Sequence, residues 1–273
     1  MKSKVVLLTL SSFFIYLLSF FQSAFTGLST QPEYLIPVIV ASLIIGWVAE
    51  NLTKSFAIYF VTQVLSIIVA LMLAKLPIDI LLGSVSGDLA TLVITKNVIL
   101  FNLVYAAPIS VITLVMSSYI AESKPKTKKL VFQLSTILLL LSLPVTINSC
   151  LNWYYEVYAV KSFSVKLIEV NFLRDSKSFI HLKLNLYTQS KKGLTAFFTR
   201  YYVYKGSKLI RFVADNYPSG LKIFQDGVNL TKAIELPGDT TFECFLENTC
   251  RIHLQVMVGT RFGLTPIDFV LRM

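Results

Sequence analysis

Toward the end of this chain, sulfur and nitrogen ligands crowd into one short stretch. Cys244, Cys250, His253 and Met257 follow one another, and His181 upstream could supply a second imidazole. Thiolate, imidazole and thioether are the donors of a copper electron-transfer site, because soft sulfur and imidazole both suit copper. The spacing argues against convergence. Arg251–Val258 alternates apolar and polar residues as a strand does, which puts His253 and Met257 on one face and Cys250 on the other. The reading from these residues is no cofactor, with copper on His181, Cys244, His253 and Met257 as the alternative. The two cysteines also have a simpler chemistry. Cys244 shares its parity with Phe242 and Leu246, and Cys250 with Ile252 and Leu254, so both point to an apolar face. On the oxidising side of a membrane they would close a hairpin as a disulfide.

The run Gly238-x3-Phe242-x-Cys244 resembles the strand before the ligand loop of cupredoxins. That resemblance implies a copper-binding β domain. The interval from Cys244 to His253 is longer than the usual single-copper loop. A second stretch, Leu184–Ile210 with Tyr-Val-Tyr-Lys-Gly-Ser-Lys-Leu-Ile at 202–210, resembles the water-stress/late-embryogenesis type of sandwich. It implies a β-sandwich and nothing about chemistry.

No nucleophile elbow, phosphate loop or zinc spacing occurs. Asp215, Asp226, Asp239 and Asp268 are expected at turns or strand ends, where carboxylates cap and solvate. A non-enzymatic protein is the expectation. Arg200, Tyr201, Tyr202 and Tyr204 stand together and are candidate partner contacts, since Tyr and Arg are enriched at interface hot spots. Asn229-Leu230-Thr231 is a glycosylation tripeptide expected on the outer side, whereas Asn51-Leu52-Thr53 falls on the cytoplasmic side and is expected to be silent.

The elements that would position these groups divide near Asn152. From about Ser162 the sequence alternates with period two. Phe163, Val165 and Leu167 share a face, as do Ile180, Leu182, Leu184 and Leu186. Further strands are expected at Thr199–Tyr204, Leu209–Val213, Leu221–Phe224, Thr241–Leu246, Ile252–Val258 and Ile267–Leu271. Turn signals separate them, among them Lys191-Lys192-Gly193, Lys205-Gly206-Ser207 and Pro218-Ser219-Gly220. Seven or eight short strands of this kind predict an antiparallel, immunoglobulin-like β-sandwich over 152–273.

Residues 1–151 are a succession of apolar runs. The whole chain has 273 residues, 55% of them hydrophobic, and a mean hydropathy of +0.67, values that place it among membrane proteins. Five spans are expected in an α-helical bundle: about Val5–Gly27, Tyr34–Ala49, Ser55–Ala74, Val98–Ala121 and Leu130–Leu151. Residues 1–27 are expected to remain as a span rather than be cleaved as a signal peptide. Leu76–Asn97, with Asp79, Asp88, Gly83 and Gly87, reads as a loop in the outer interface, with a re-entrant segment as the alternative. Lys124, Lys126, Lys128 and Lys129 put the loop before the fifth span in the cytoplasm. The N-terminus is then cytoplasmic and the β domain extracytoplasmic. No ionisable residue lies well inside a span. Gln63 and Asn102 are there instead, and could join helices or line a path for a neutral solute or lipid.

The formal net charge is +10, with no cluster dense enough for a nucleic-acid channel. The expected partners are the lipid bilayer and a membrane or envelope protein, with no nucleic acid. The function expected is interaction through the β domain, as a subunit of a larger membrane complex.

Overall fold

The computed structural model describes residues 2–28, 34–49, 51–123, 128–174, 178–237, 240 and 243–271. The chain forms two compact units, Met1–Tyr154 and Tyr155–Met273.

The first unit is helical. Its elements are α1 (Lys2–Thr26), α2 (Leu35–Val48), α3 (Leu52–Leu82), α4 (Ser84–Phe101), a π turn (Asn102–Ala106) and α5 (Ala107–Ser123). Helix α6 (Lys128–Lys161) begins in this unit and ends in the second. Among the described residues four stretches are long and apolar enough to cross a membrane: Val6–Thr26, Leu52–Leu82, Ser86–Ala121 and Gln133–Lys161. The expected span at 34–49 forms a shorter helix. The 14 residues of α2 rise about 21 Å, against a hydrocarbon core of about 30 Å. Helix α2 lies tightly on α5 because Gly46 has no side chain. A Cβ there would stand 2.7 Å from the Leu114 carbonyl oxygen.

The expected loop at 76–97 is instead a helical hairpin. Helix α3 continues through Pro77 to Leu82, and the chain turns at Gly83, whose φ of +92° suits glycine. Helix α4 starts at the next residue. The charges that suggested a loop are paired within the hairpin. Lys75 Nζ lies 3.5 Å from Asp79 Oδ2 and 3.3 Å from Asp88 Oδ1. The interior of the unit holds a hydroxyl network rather than charge. The Tyr16 hydroxyl lies 2.8 Å from Ser42 Oγ and 3.1 Å from Ser110 Oγ. Trp153 Nε1 donates to the Ala74 carbonyl at 2.9 Å.

The second unit is a two-sheet antiparallel β domain. Its strands are β1 (Ser164–Arg174), β2 (Ser178–Tyr187), β3 (Leu194–Lys205), β4 (Lys208–Ile223), β5 (Val228–Leu236), β6 (Cys250–Thr260) and β7 (Gly263–Leu271). One sheet has the order β1-β2-β5 and the other β4-β3-β6-β7. Both supply one core. Ile180, Leu182, Leu184 and Leu186 of β2 come from the first sheet, and Val203, Ile252, Leu254 and Val256 from the second, all fully buried. The alternation expected for β2 therefore holds residue by residue.

Three strand expectations change. Residues 209–213 and 221–224 are not two strands: β4 runs unbroken from Lys208 to Ile223. Pro218-Ser219-Gly220 lies in a wide irregularity, where Ala196 pairs with Leu221 but Phe198 with Asn216. Of the strand expected at 241–246, residues 243–246 form a helical turn, α7 (Glu243–Leu246), and 241 and 242 lie outside the described residues. Val228–Leu236 is a strand that the sequence reading passed over.

Candidate interaction surface

The four-stranded sheet turns one face outward, and the register arranges its side chains in rows. Tyr202 of β3 sits opposite Phe212 of β4 on one side and His253 of β6 on the other, and His253 sits opposite Val270 of β7. Phe212 is 49% and Val270 53% exposed. The Tyr202 and Phe212 rings lie 5.1 Å apart, and Tyr204 meets His253 edge-on at 5.1 Å. Below this row Arg200 donates to Gln255 Oε1 at 3.2 Å, and Gln255 donates to Asp268 Oδ1 at 3.0 Å. The result is an aromatic and apolar row edged by a hydrogen-bonded polar row. Aromatics and Arg beside a polar rim are the composition of protein interfaces.

The tyrosine cluster expected as contacts divides across the sheet. Arg200, Tyr202 and Tyr204 are on the outward face, whereas Tyr201 is fully buried in the core. Adjacent residues on a strand must face opposite ways.

Behind the sheet lies a polar group that sequence reasoning missed. Lys232 of β5 and Asp215 of β4 lean inward from different sheets, and Nζ lies 2.5 Å from Oδ1. Asp215 is thus at mid-strand, not at the turn or strand end expected for it. The Lys232 ammonium also stands 6.0 Å from the Tyr201 ring centroid. Burial pushes the Tyr201 phenol above its ordinary value. The Tyr201 hydroxyl has no hydrogen-bond partner among the described residues, and the Thr199 hydroxyl lies 3.1 Å from that of Tyr217. A clue was available: Lys232 has the same parity as Leu230, Ile234 and Leu236.

The copper constellation does not assemble. His181 occupies the outward face of β2 in one sheet, and His253 and Met257 the outward face of β6 in the other. Cys244 and Cys250 are buried in the core and face each other as a disulfide-capable pair. Among the described residues no group of three His, Cys, Asp or Glu side chains could hold a metal ion. Gly238 and Phe242, which carried the cupredoxin resemblance, lie outside the described residues, as do Lys124 and Lys126 of the cytoplasmic-loop reading.

Gln63 and Asn102 do meet. Gln63 Nε2 lies 2.5 Å from Asn102 Oδ1, linking α3 to the π turn. This one amide-to-amide hydrogen bond joins the two elements. Asn51 accepts from the Lys54 amide at 2.8 Å and caps α3. Asn229 is exposed on β5, an edge strand, where its Oδ1 accepts from Asn185.

No family model matches this sequence. No curated protein matches it either. Among solved structures, a protein from Archaeoglobus fulgidus is similar over 40% of this chain and 93% of its own length, at 12% identity and a TM-score of 0.30.

Proposed function

We propose that this chain is a multi-pass membrane protein that presents an immunoglobulin-like β-sandwich to a partner protein on the extracytoplasmic side. In this reading the helical unit anchors and the β unit recognises. The observation that carries it is the outward row Phe212, Tyr202, His253 and Val270, apolar and aromatic on a sheet face. Membrane insertion draws support from the four long apolar stretches. The extracytoplasmic side draws support from the lysines of the 122–129 segment and from the Cys244–Cys250 pair. Three and four antiparallel strands around a shared core are the strand count of an immunoglobulin-like sandwich. The partner is a membrane or envelope protein, and the protein is a non-enzymatic subunit of that assembly.

The test is purification of the full chain in mild detergent from its own cells, with mass spectrometry of what travels with it. A stoichiometric partner is expected with the native chain and lost from a Tyr202→Ala, Phe212→Ala double variant that still folds. Recovery of the native chain as a monodisperse monomer would count against the reading.

A further inference from the structure

One end of the β unit is built around the last turns of α6. Ser190 Oγ donates to the Tyr155 carbonyl at 3.0 Å, and Thr188 Oγ1 to the Ala159 carbonyl at 2.9 Å. The Glu156 carboxylate accepts from Lys192 Nζ at 3.1 Å, from Arg261 Nε at 3.1 Å and from the Arg261 amide at 2.9 Å. The 224–227 turn joins this ring, since the Thr188 amide donates to the Phe224 carbonyl and Gln225 Nε2 to the Gln189 carbonyl. Three turns, at 188–193, 224–227 and 261–262, therefore gather around helix residues 155–161.

Two properties of this end stand out. Phe224, Phe262 and Leu264 are 45%, 37% and 48% exposed, so large apolar side chains project from two of the turns and from the start of β7. Lys161, Lys191 and Lys222 are exposed here as well. The nearby acid Glu156 already accepts from Lys192 and Arg261, which leaves Asp226 to oppose the lysines. Aromatic residues tipped with basic ones are the composition of a bilayer interface. Helix residues 155–161, around which these turns gather, are the last of the apolar stretch Gln133–Lys161.

We infer that this end is a lipid-binding collar. Phe224, Phe262 and Leu264 enter the interfacial layer, while Lys161, Lys191 and Lys222 meet the phosphates of anionic phospholipid headgroups. The inference rests on the reading of the chain as a membrane protein, but not on its partner or its sidedness. It gives the β unit a second surface, separate from the outward face of the four-stranded sheet.

The test is amide hydrogen exchange of the full chain in three settings: mild detergent, nanodiscs of phosphatidylcholine, and nanodiscs of phosphatidylcholine with phosphatidylglycerol. In the anionic discs the 188–193, 224–227 and 261–264 amides should exchange more slowly than in the neutral ones. The difference should be about fivefold for each lysine engaged. The Lys205–Ser207 turn at the opposite end serves as the internal reference and should not change. A Lys191→Glu, Lys222→Glu variant should lose the dependence on lipid charge while its β2 amides stay protected. Equal exchange of the three turns in both kinds of disc, for a protein that does enter discs, would overturn the collar alone. A chain that stays outside the discs and remains dissolved without detergent would overturn the membrane reading with it.

Discussion

Lys232 and Asp215 tie the two sheets together at their open edge. Each belongs to an edge strand, β5 in one sheet and β4 in the other, and their charged atoms lie 2.5 Å apart. An inward lysine in an alternating strand would otherwise leave a charge against the apolar core, so the aspartate from the facing sheet is what makes the position tolerable. Replacing Lys232 with Met should cost about 2 kcal/mol. That is less than for a fully buried pair, because the two side chains are 19% and 30% exposed. The double change Lys232→Met, Asp215→Leu should recover most of the loss. Thermal melting of the three variants checks this, and a double variant weaker than either single one would refute it.

Alkaline pH should loosen the β unit. Burial raises the Tyr201 and Tyr217 phenols above the ordinary value of 10.0, so the folded state holds its protons where the unfolded state has begun to release them. The unfolded state then binds fewer protons, and stability falls as pH rises. The contribution is intact below about pH 10 and is lost as pH climbs toward the folded values. Absorbance titration at the phenolate band should place Tyr201 and Tyr217 among the tyrosines that ionise only on unfolding. Tyr201→Phe should remove part of the pH dependence at neutral cost to stability, because the hydroxyl it deletes has no partner.

Reduction should destabilise the β unit without abolishing its sheets. Cys244 and Cys250 are six positions apart, and closing so short a loop is worth about 2 kcal/mol. Melting with and without reductant measures it. Mass spectrometry after alkylation of the unreduced protein should find both cysteines protected.

Gln63→Leu should weaken the helical unit more than Gln63→Leu with Asn102→Leu. The single change leaves the partly buried Asn102 carboxamide oxygen without this donor, whereas the double change removes both halves of the bond. A bond of this kind inside a bundle contributes about 1 kcal/mol. Denaturation in mixed detergent reads the difference. Should the protein also move a neutral solute, undiminished movement in the double variant would exclude these two residues from the path.

Sidedness can be read from glycans. Expressed in a eukaryotic secretory pathway, the full chain should be modified at Asn229, which is exposed on an edge strand. Asn51 should remain bare. A mobility shift removed by Asn229→Gln supports an extracytoplasmic β unit. A shift removed only by Asn51→Gln would reverse the proposed orientation.

Long apolar runs made the cores of α1, α3, α5 and α6 legible in the sequence, and strict alternation did the same for β2. The α3–α4 hairpin was hidden because Lys75, Asp79 and Asp88 look like loop residues until their mutual pairing is seen. Strand β5 was hidden for a related reason. Asn229, Thr231 and Lys232 dilute its apolar pattern, and the group that excuses Lys232 comes from another sheet. The opposed directions of Tyr201 and Tyr202 could be read from their adjacency alone. That Phe212, His253 and Val270 would line up beside Tyr202 could not, since it depends on strand order and on the bulges that set register.

The π turn at Asn102–Ala106 sets the rotational phase of everything that follows it in the same helix. Its widened bond, from the Ala107 amide to the Asn102 carbonyl, accommodates one residue more than an α-helix would. An α-helix advances about 100° per residue, so excising one position there would swing Ser110 away from the Tyr16 hydroxyl and Ser117 away from Gly46. The feature behaves as an insertion that the fold has absorbed. Helix α5 faces its neighbours correctly only because its register was shifted upstream, and a deletion variant one residue shorter would present the wrong side of an otherwise intact helix.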